Sequence, residues 1–139
     1  MEPSLLILDL MRAFYWFDEQ LRARLEQRGW TGITRSQSLV LSNVANGVTR
    51  PSRIAENLGV SRQAMSQLLA EMAARGLIDL VPDSTDRRAQ RVISSAAGSA
   101  IREAARTTLR ELEGELEAKV GGAAMTSLRK ALDAVPGPG

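Results

Sequence analysis

The stretch from residue 47 to residue 93 constrains this chain more than any other part of it. Two short amphipathic runs are separated only by Leu58-Gly59-Val60-Ser61, too little chain for anything but a sharp turn. Pro51-Ser52 opens the first run, a helix over residues 53–58, and Gly59 breaks it. Ser61 caps a second helix that reaches about Arg75, with Gly76 as its stop. Along that helix Ala64, Met65, Leu68, Leu69 and Met72 are expected to face inward, with Arg62, Gln63, Ser66 and Gln67 facing out. Residues 77–81 then alternate like a strand, residues 82–85 carry turn chemistry, and residues 90–93 can return as the strand's partner. The segment reads helix, tight turn, helix, hairpin, with residues 48–50 as a short β-compatible piece before it.

A helix–turn–helix needs a bracing helix, a glycine-containing turn and a second helix with short polar side chains at its exposed N-terminal end. Ala55 is small where the two helices would cross, and Ile54, Leu58, Val60 and Leu68 can form their shared core. Arg62 and Gln63 have the chemistry to read base edges, since Arg pairs bidentately with guanine and Gln with adenine. Two helices joined by glycine also occur in many small helical proteins whose polar residues are merely solvated. The hairpin shifts the balance towards nucleic acid. Arg87, Arg88 and Arg91 lie on or beside its turn, and Arg at a protruding tip suits a narrow minor groove, where negative potential is focused. The plainer alternative is a solvated turn in which Asp86 pairs with Arg88.

Helical periodicity also flanks this segment. Apolar residues recur every three or four positions from Leu6 to Leu25, predicting a helix over about 4–28, with Pro3 suited to its first turn. At 1.5 Å per residue it spans about 37 Å, longer than a small domain is wide, so packing along another helix or another subunit is expected. All five aromatics lie within residues 14–30 and leave the helix apolar on more than one side. Thr34 with Gln37 three residues later forms a capping box for a helix ending near Ala45, before Asn46-Gly47. A long helix is expected over 96–120, then a break at Gly121-Gly122 and a last helix to about Val135; residues 136–139 read as a frayed tail. The fold class is mainly α (α+β). Residues 1–139 read as one domain: helices over 4–33 and 96–135 flank a helix–turn–helix and hairpin region over 34–95.

Composition removes whole classes of function. The chain has no Cys and no His, which excludes thiol nucleophiles, disulfides, cysteine redox sensing, His-based acid–base catalysis and Cys or His metal sites. With no phosphate-cradling glycine motif and no credible carboxylate pair, no constellation supports an enzyme, and neither cofactor nor metal is expected. A net charge of +2 is too weak to argue for nucleic acid by itself. Locally, six Arg (22, 24, 28, 35, 50, 53) stand against one acid, Glu26, which supports a DNA-facing middle or else a solvated surface. Glu111, Glu113, Glu115 and Glu117 step by two around a helix and read as a solvated helix surface. No run approaches the ~18 apolar residues of a membrane span, and the start lacks the basic region of a signal peptide. The chain reads as soluble and cytoplasmic.

Residues 34–98 resemble a winged helix–turn–helix regulator of the MarR type. The stretches that carry the resemblance are residues 50–55, Leu58-Gly59-Val60-Ser61-Arg62-Gln63, Arg75-Gly76-Leu77-Ile78, residues 83–89 and Gly98. The Asp86-Arg87-Arg88-Ala89 hairpin after Arg-Gly-Leu is fairly specific, whereas the helix–turn–helix alone is shared by many families. The resemblance implies a homodimer built from the terminal helices. It also implies recognition helices in successive major grooves of a pseudo-palindromic double-stranded DNA site, wings in the flanking minor grooves, and repression as the commoner outcome. By position it assigns DNA contacts to Arg50, Ser52, Ser61, Arg62, Gln63, Ser66, Gln67, Asp86, Arg87, Arg88 and Arg91. Two departures stand out: Ser84 replaces a frequent proline, which implies a looser wing, and Ser94-Ser95 replaces Leu-Thr, leaving Ser95 as the cap of the long helix. Such regulators commonly carry an effector pocket, which here would draw on Phe14, Tyr15, Phe17 and Trp30. Those aromatics equally suit a dimer core, and a small apolar or phenolic ligand, or none, is left open. A winged-helix module for protein–protein contact without DNA is the competing class, disfavoured by Arg62, Arg87, Arg88 and Arg91.

Overall fold

The computed structural model describes residues 2–137, in which six helices and one antiparallel hairpin follow in the order α1 (Leu6–Gln27), α2 (Arg35–Ala45), α3 (Pro51–Leu58), α4 (Arg62–Ala74), β1 (Ile78–Pro82), β2 (Gln90–Ser94), α5 (Ala96–Val120) and α6 (Gly122–Asp133). Local chemistry sets most of these boundaries. Thr34 Oγ1 accepts from the Gln37 N–H while Gln37 Oε1 accepts from the Thr34 N–H, so the expected capping box is complete. Pro51 opens α3, where a missing N–H costs nothing, and Gly59 ends it in the left-handed region at φ 71°. Ser61 Oγ accepts from the Ala64 N–H at 3.1 Å and starts α4. At α1 the expectation runs long: the helix begins at Leu6, and Pro3 lies outside it. Of the expected tail, Pro136 and Gly137 are exposed and non-helical, and residues 138–139 lie outside the described residues.

The described chain divides into two compact units. The first comprises residues up to 32 together with 105–137. Here α1 is tied to α5 by charge: Arg24 makes a two-pronged bond to Glu115 at 2.6 and 2.9 Å. Arg28 reaches the Glu111 carboxylate at 2.9 Å and the buried Thr108 hydroxyl at 2.6 Å. Glu113 takes Arg129 of α6 at 2.7 Å. Two expectations therefore need correcting. The basic run containing Arg22, Arg24 and Arg28 is not a DNA-facing surface, since Arg22 pairs with Asp18 at 3.0 Å and the other two are held by α5. The acids of α5 are not merely solvated either: Glu111 and Glu115, four residues apart, share the face towards α1, and Glu113 serves α6.

The second unit, residues 33–104, holds the helix–turn–helix and the hairpin. Its core is aliphatic: Val40, Ile54, Ala55, Met65, Leu69, Met72, Leu77, Ile78, Val92 and Ile101 are all buried. The hairpin register pairs Ile78 with Ser94 and Pro82 with Gln90, so β1 is shifted one residue later than expected and β2 ends one residue later. The β-compatible residues 48–50 contribute one backbone bond, from the Val92 N–H to the Thr49 carbonyl at 2.8 Å, without forming a third strand. The start of α5 is fixed by Ser95, whose hydroxyl accepts from the Gly98 N–H at 2.8 Å and donates to the Gly76 carbonyl. Ser95 is thus the cap that the sequence suggests.

Candidate nucleic-acid interface

The site begins with the two faces of α4. Met65, Leu69 and Met72 recur at helical spacing and are buried, which fixes the rotation of the helix. At 100° per residue, Gln63 and Gln67 fall on the opposite side, and Arg62 with Ser66 on one flank. All four are exposed, as expected. Ala64 departs from expectation: it falls on the other flank and is exposed, because the inward arc is already filled by Met65 and half-buried Leu68. Val60, expected in the shared core, is 42% exposed, since the left-handed turn at Gly59 carries it outward. Its backbone instead closes the turn, the Val60 N–H donating to the Ala55 carbonyl at 3.0 Å.

The hairpin turn occupies residues 83–89 rather than 82–85, because Pro82 pairs with Gln90 inside the ladder. Asp83 organises it. The Asp83 side chain is buried, and its Oδ1 accepts from both the Thr85 N–H and the Thr85 hydroxyl at 3.0 Å. Its Oδ2 lies 3.6 Å from the Arg50 guanidinium. The backbone bond from Thr85, then its hydroxyl, hold the carboxyl below its ordinary range against the opposing effect of burial, with the charges of Arg50 and Arg91 helping. Among the described residues Asp86 makes no ion pair with the Arg88 guanidinium; its carboxylate accepts from the Arg88 backbone N–H at 3.0 Å instead, while its backbone carbonyl accepts from the Ala89 N–H. That leaves the Arg87 and Arg88 side chains exposed at the tip. Arg91 behaves differently: its guanidinium donates to Thr49 Oγ1 at 3.0 and 3.3 Å, at the base of the hairpin.

Arg50, Ser52, Arg62, Ser66, Arg87 and Arg88 come together around one cleft of about 670 Å³, floored by Met65 and by Asp83. Ser61, Gln63, Gln67, Asp86 and Arg91 do not line it. Four guanidinium groups against one carboxylate already engaged by Thr85 and Arg50 make the cleft strongly positive, so it suits an anion. Sequence reasoning missed Asp83; its signal was a residue able to form an Asx turn two positions before Thr85. The aromatics Phe14, Tyr15, Phe17 and Trp30 all belong to the first unit. Phe14 meets Tyr15 edge-on and Trp16 meets Phe17 edge-on at 4.9 Å, while Phe14 and Tyr15 are 43% and 40% exposed. Among the described residues no cluster of three or more acidic side chains is arranged to hold a metal, and no helix is long and apolar enough to cross a membrane.

Residues 31–89, which contain α2 to α4 and the hairpin turn, match the model of the MarR family. That segment is similar to the MarR family; the rest of the chain is compared by fold alone. The fold agrees over nearly its whole length with wild-type apo MarR from E. coli, at TM-score 0.73 and 22% identity, covering 97% of this chain and all of that one. It is similar to NadR in complex with 4-hydroxyphenylacetate, at TM-score 0.72 and 21% identity over 96% of this chain and 93% of that one. A MepR variant from S. aureus bound to an oligodeoxyribonucleotide matches at TM-score 0.60 and 20% identity, over 94% and 95% of the two chains. No curated protein matches significantly. The fold shared with these structures is a winged helix, in which the β1–β2 hairpin takes the place of the wing and α4 is the second helix of the helix–turn–helix.

Proposed function

We propose that the protein is a homodimeric, sequence-specific DNA-binding transcriptional regulator that represses from a pseudo-palindromic operator. The observation that carries this reading is the exposed N-terminal half of α4 beside the arginine-lined cleft and wing tip. Residues 61–75 enter the major groove and the wing, residues 83–91, the adjacent minor groove. Ser61 and Asp86 act mainly by shaping their elements, through the α4 cap and the wing turn. Arg91 supports the wing from its base. Self-association is supported by the first unit, where Leu6, Ile7, Leu10, Met11, Phe14 and Trp16 of α1 and Leu128 and Leu132 of α6 are exposed large apolar residues. The domain organisation follows: terminal helices for dimerisation, with the winged module between them. Two copies on one operator occupy DNA that a polymerase would need, hence repression. The similarity to NadR with 4-hydroxyphenylacetate supports a small phenolic effector that releases the DNA.

The test is binding of the purified protein to its own upstream DNA, titrated with salt and challenged with random-sequence DNA. Saturable binding that survives competitor and falls steeply with salt is expected. Binding no tighter than to random DNA at every salt concentration would count against the reading. Substituting Arg88 by Ala should weaken binding to all sequences and lower the salt slope by about one.

A further inference from the structure

We infer that the cleft between α4 and the wing seats a DNA phosphodiester strand, so that Arg62 and Ser66 bind backbone and base readout in the major groove falls to Gln63 and Gln67. This rests on the DNA-binding reading above and divides its contacts. The division comes from helix geometry. Arg62 and Ser66 are four residues apart, share a flank of α4, and line the cleft with Arg50, Arg87 and Arg88. Gln63 and Gln67, also four apart, lie opposite the buried Met65, Leu69 and Met72 and are absent from the cleft.

The chemistry agrees with the geometry. In duplex DNA a single phosphodiester strand forms the ridge between a major groove and its neighbouring minor groove. An α4 in one groove and a wing in the next must straddle that ridge, and whatever lines the space between them faces phosphate. Guanidinium forks match phosphate oxygens bidentately. Among the described residues no side chain bonds to the guanidinium of Arg62, Arg87 or Arg88, so all three are available. The carboxylate in the lining, Asp83, is buried and occupied by Thr85 and Arg50, so it does not repel an incoming phosphate strongly. The outward pair of glutamines, in contrast, has the bidentate pattern for adenine N6 and N7. The operator half-site is therefore expected to hold A·T pairs where Gln63 and Gln67 reach, with no guanine demanded by Arg62.

The experiment uses the full-length protein and a pool of random duplexes to select binding sites, followed by affinities for the selected site and its single base-pair substitutions at three salt concentrations. Wild type, Arg62→Ala, Gln63→Ala and Arg88→Ala are compared, with circular dichroism confirming the fold of each. Arg62→Ala should lower affinity by the same factor on every duplex and reduce the salt slope by about one, as Arg88→Ala does. Gln63→Ala should keep the wild-type slope and lose roughly 5- to 150-fold of discrimination at one A·T pair. The inference is overturned if Arg62→Ala instead changes the preferred base with its slope unaltered, or if Gln63→Ala weakens all duplexes uniformly. If wild type enriches no sequence from the pool, the DNA-binding reading itself fails, and the division of contacts with it.

Discussion

Asp83 braces a wing whose turn carries Ser84, where the resemblance leads one to expect a proline. A proline would stiffen the turn by fixing φ; here a buried carboxylate does so by bonding Thr85 twice and facing Arg50. The resemblance implies a looser wing at Ser84, and these bonds supply the missing restraint. Asp83→Asn keeps one acceptor but removes the charge that Arg50 and Arg91 face. It should weaken DNA binding and, in a double-mutant cycle, shrink the effect of Arg88→Ala, because a misplaced tip gains little from its arginine. Strict additivity of the two substitutions would show that Asp83 does not position the tip. The same carboxyl gives a pH dependence with a definite sign. Its folded-state value is lowered, so its stabilisation is complete above the unfolded carboxylate range near ~4 and is lost as pH falls through the folded value. Wild type and Asp83→Asn should therefore differ in denaturant midpoint at pH 7 and converge in acid. A constant difference from pH 7 to pH 2 would place the effect elsewhere.

At the scale of elements, the start of α5 decides how firmly the helix is joined to the turn between α4 and β1. A Cβ added to Gly98 would sit 2.1 Å from the Leu77 carbonyl oxygen, backbone that cannot swing aside as a side chain would. Gly98→Ala should cost about 1–3 kcal/mol through overpacking. Ser95→Ala should cost about 1–2 kcal/mol by removing a cap together with the partner of the Gly76 carbonyl. Chemical denaturation of both variants measures this, and an unchanged midpoint for Gly98→Ala would mean that α5 can lift away freely. Ser95 was legible in the sequence, as were the Thr34–Gln37 box, the Ser61 cap and the Gly59 break, because caps and turns are decided within four residues. The α4 core was largely legible from its period, but Ala64 was not: an apolar residue too small to commit a face follows whatever its larger neighbours leave over. Least legible were partners distant in the chain. Nothing local says that Arg24 and Arg28 meet Glu115 and Glu111 across more than eighty residues, so a run of arginines looked like a DNA surface when it is a seam between helices. In the candidate site the residue types were legible, but which of them share a cleft was decided by the rotation of α4 and the reach of the wing.

For the molecule as a whole, the first unit leaves apolar surface uncovered on a scale that isolated surface residues do not reach. Leu6 and Ile7 are 71% and 72% exposed, and Leu10 and Phe14 continue the same helix at intervals of three and four. A fully buried side chain of this kind is worth about 1.5–3 kcal/mol, and in a two-fold dimer each position counts twice. In the proposed dimer, replacing Leu10 and Phe14 together by Glu would remove four apolar contacts and place four charges in the interface, beyond the ~4 kcal/mol that separates a micromolar from a millimolar Kd. Both residues are exposed within one chain, so the substitutions should leave helix content unchanged while sedimentation equilibrium shows one chain mass where wild type shows two. DNA binding should fall with them, because a monomer engages one half-site and loses the effective concentration that joins the second. If the double variant sediments as wild type does, α1 is not the dimer seam. If it is monomeric yet binds operator DNA as tightly as before, the protein reads its site as a single winged helix, and the pseudo-palindrome is no longer required.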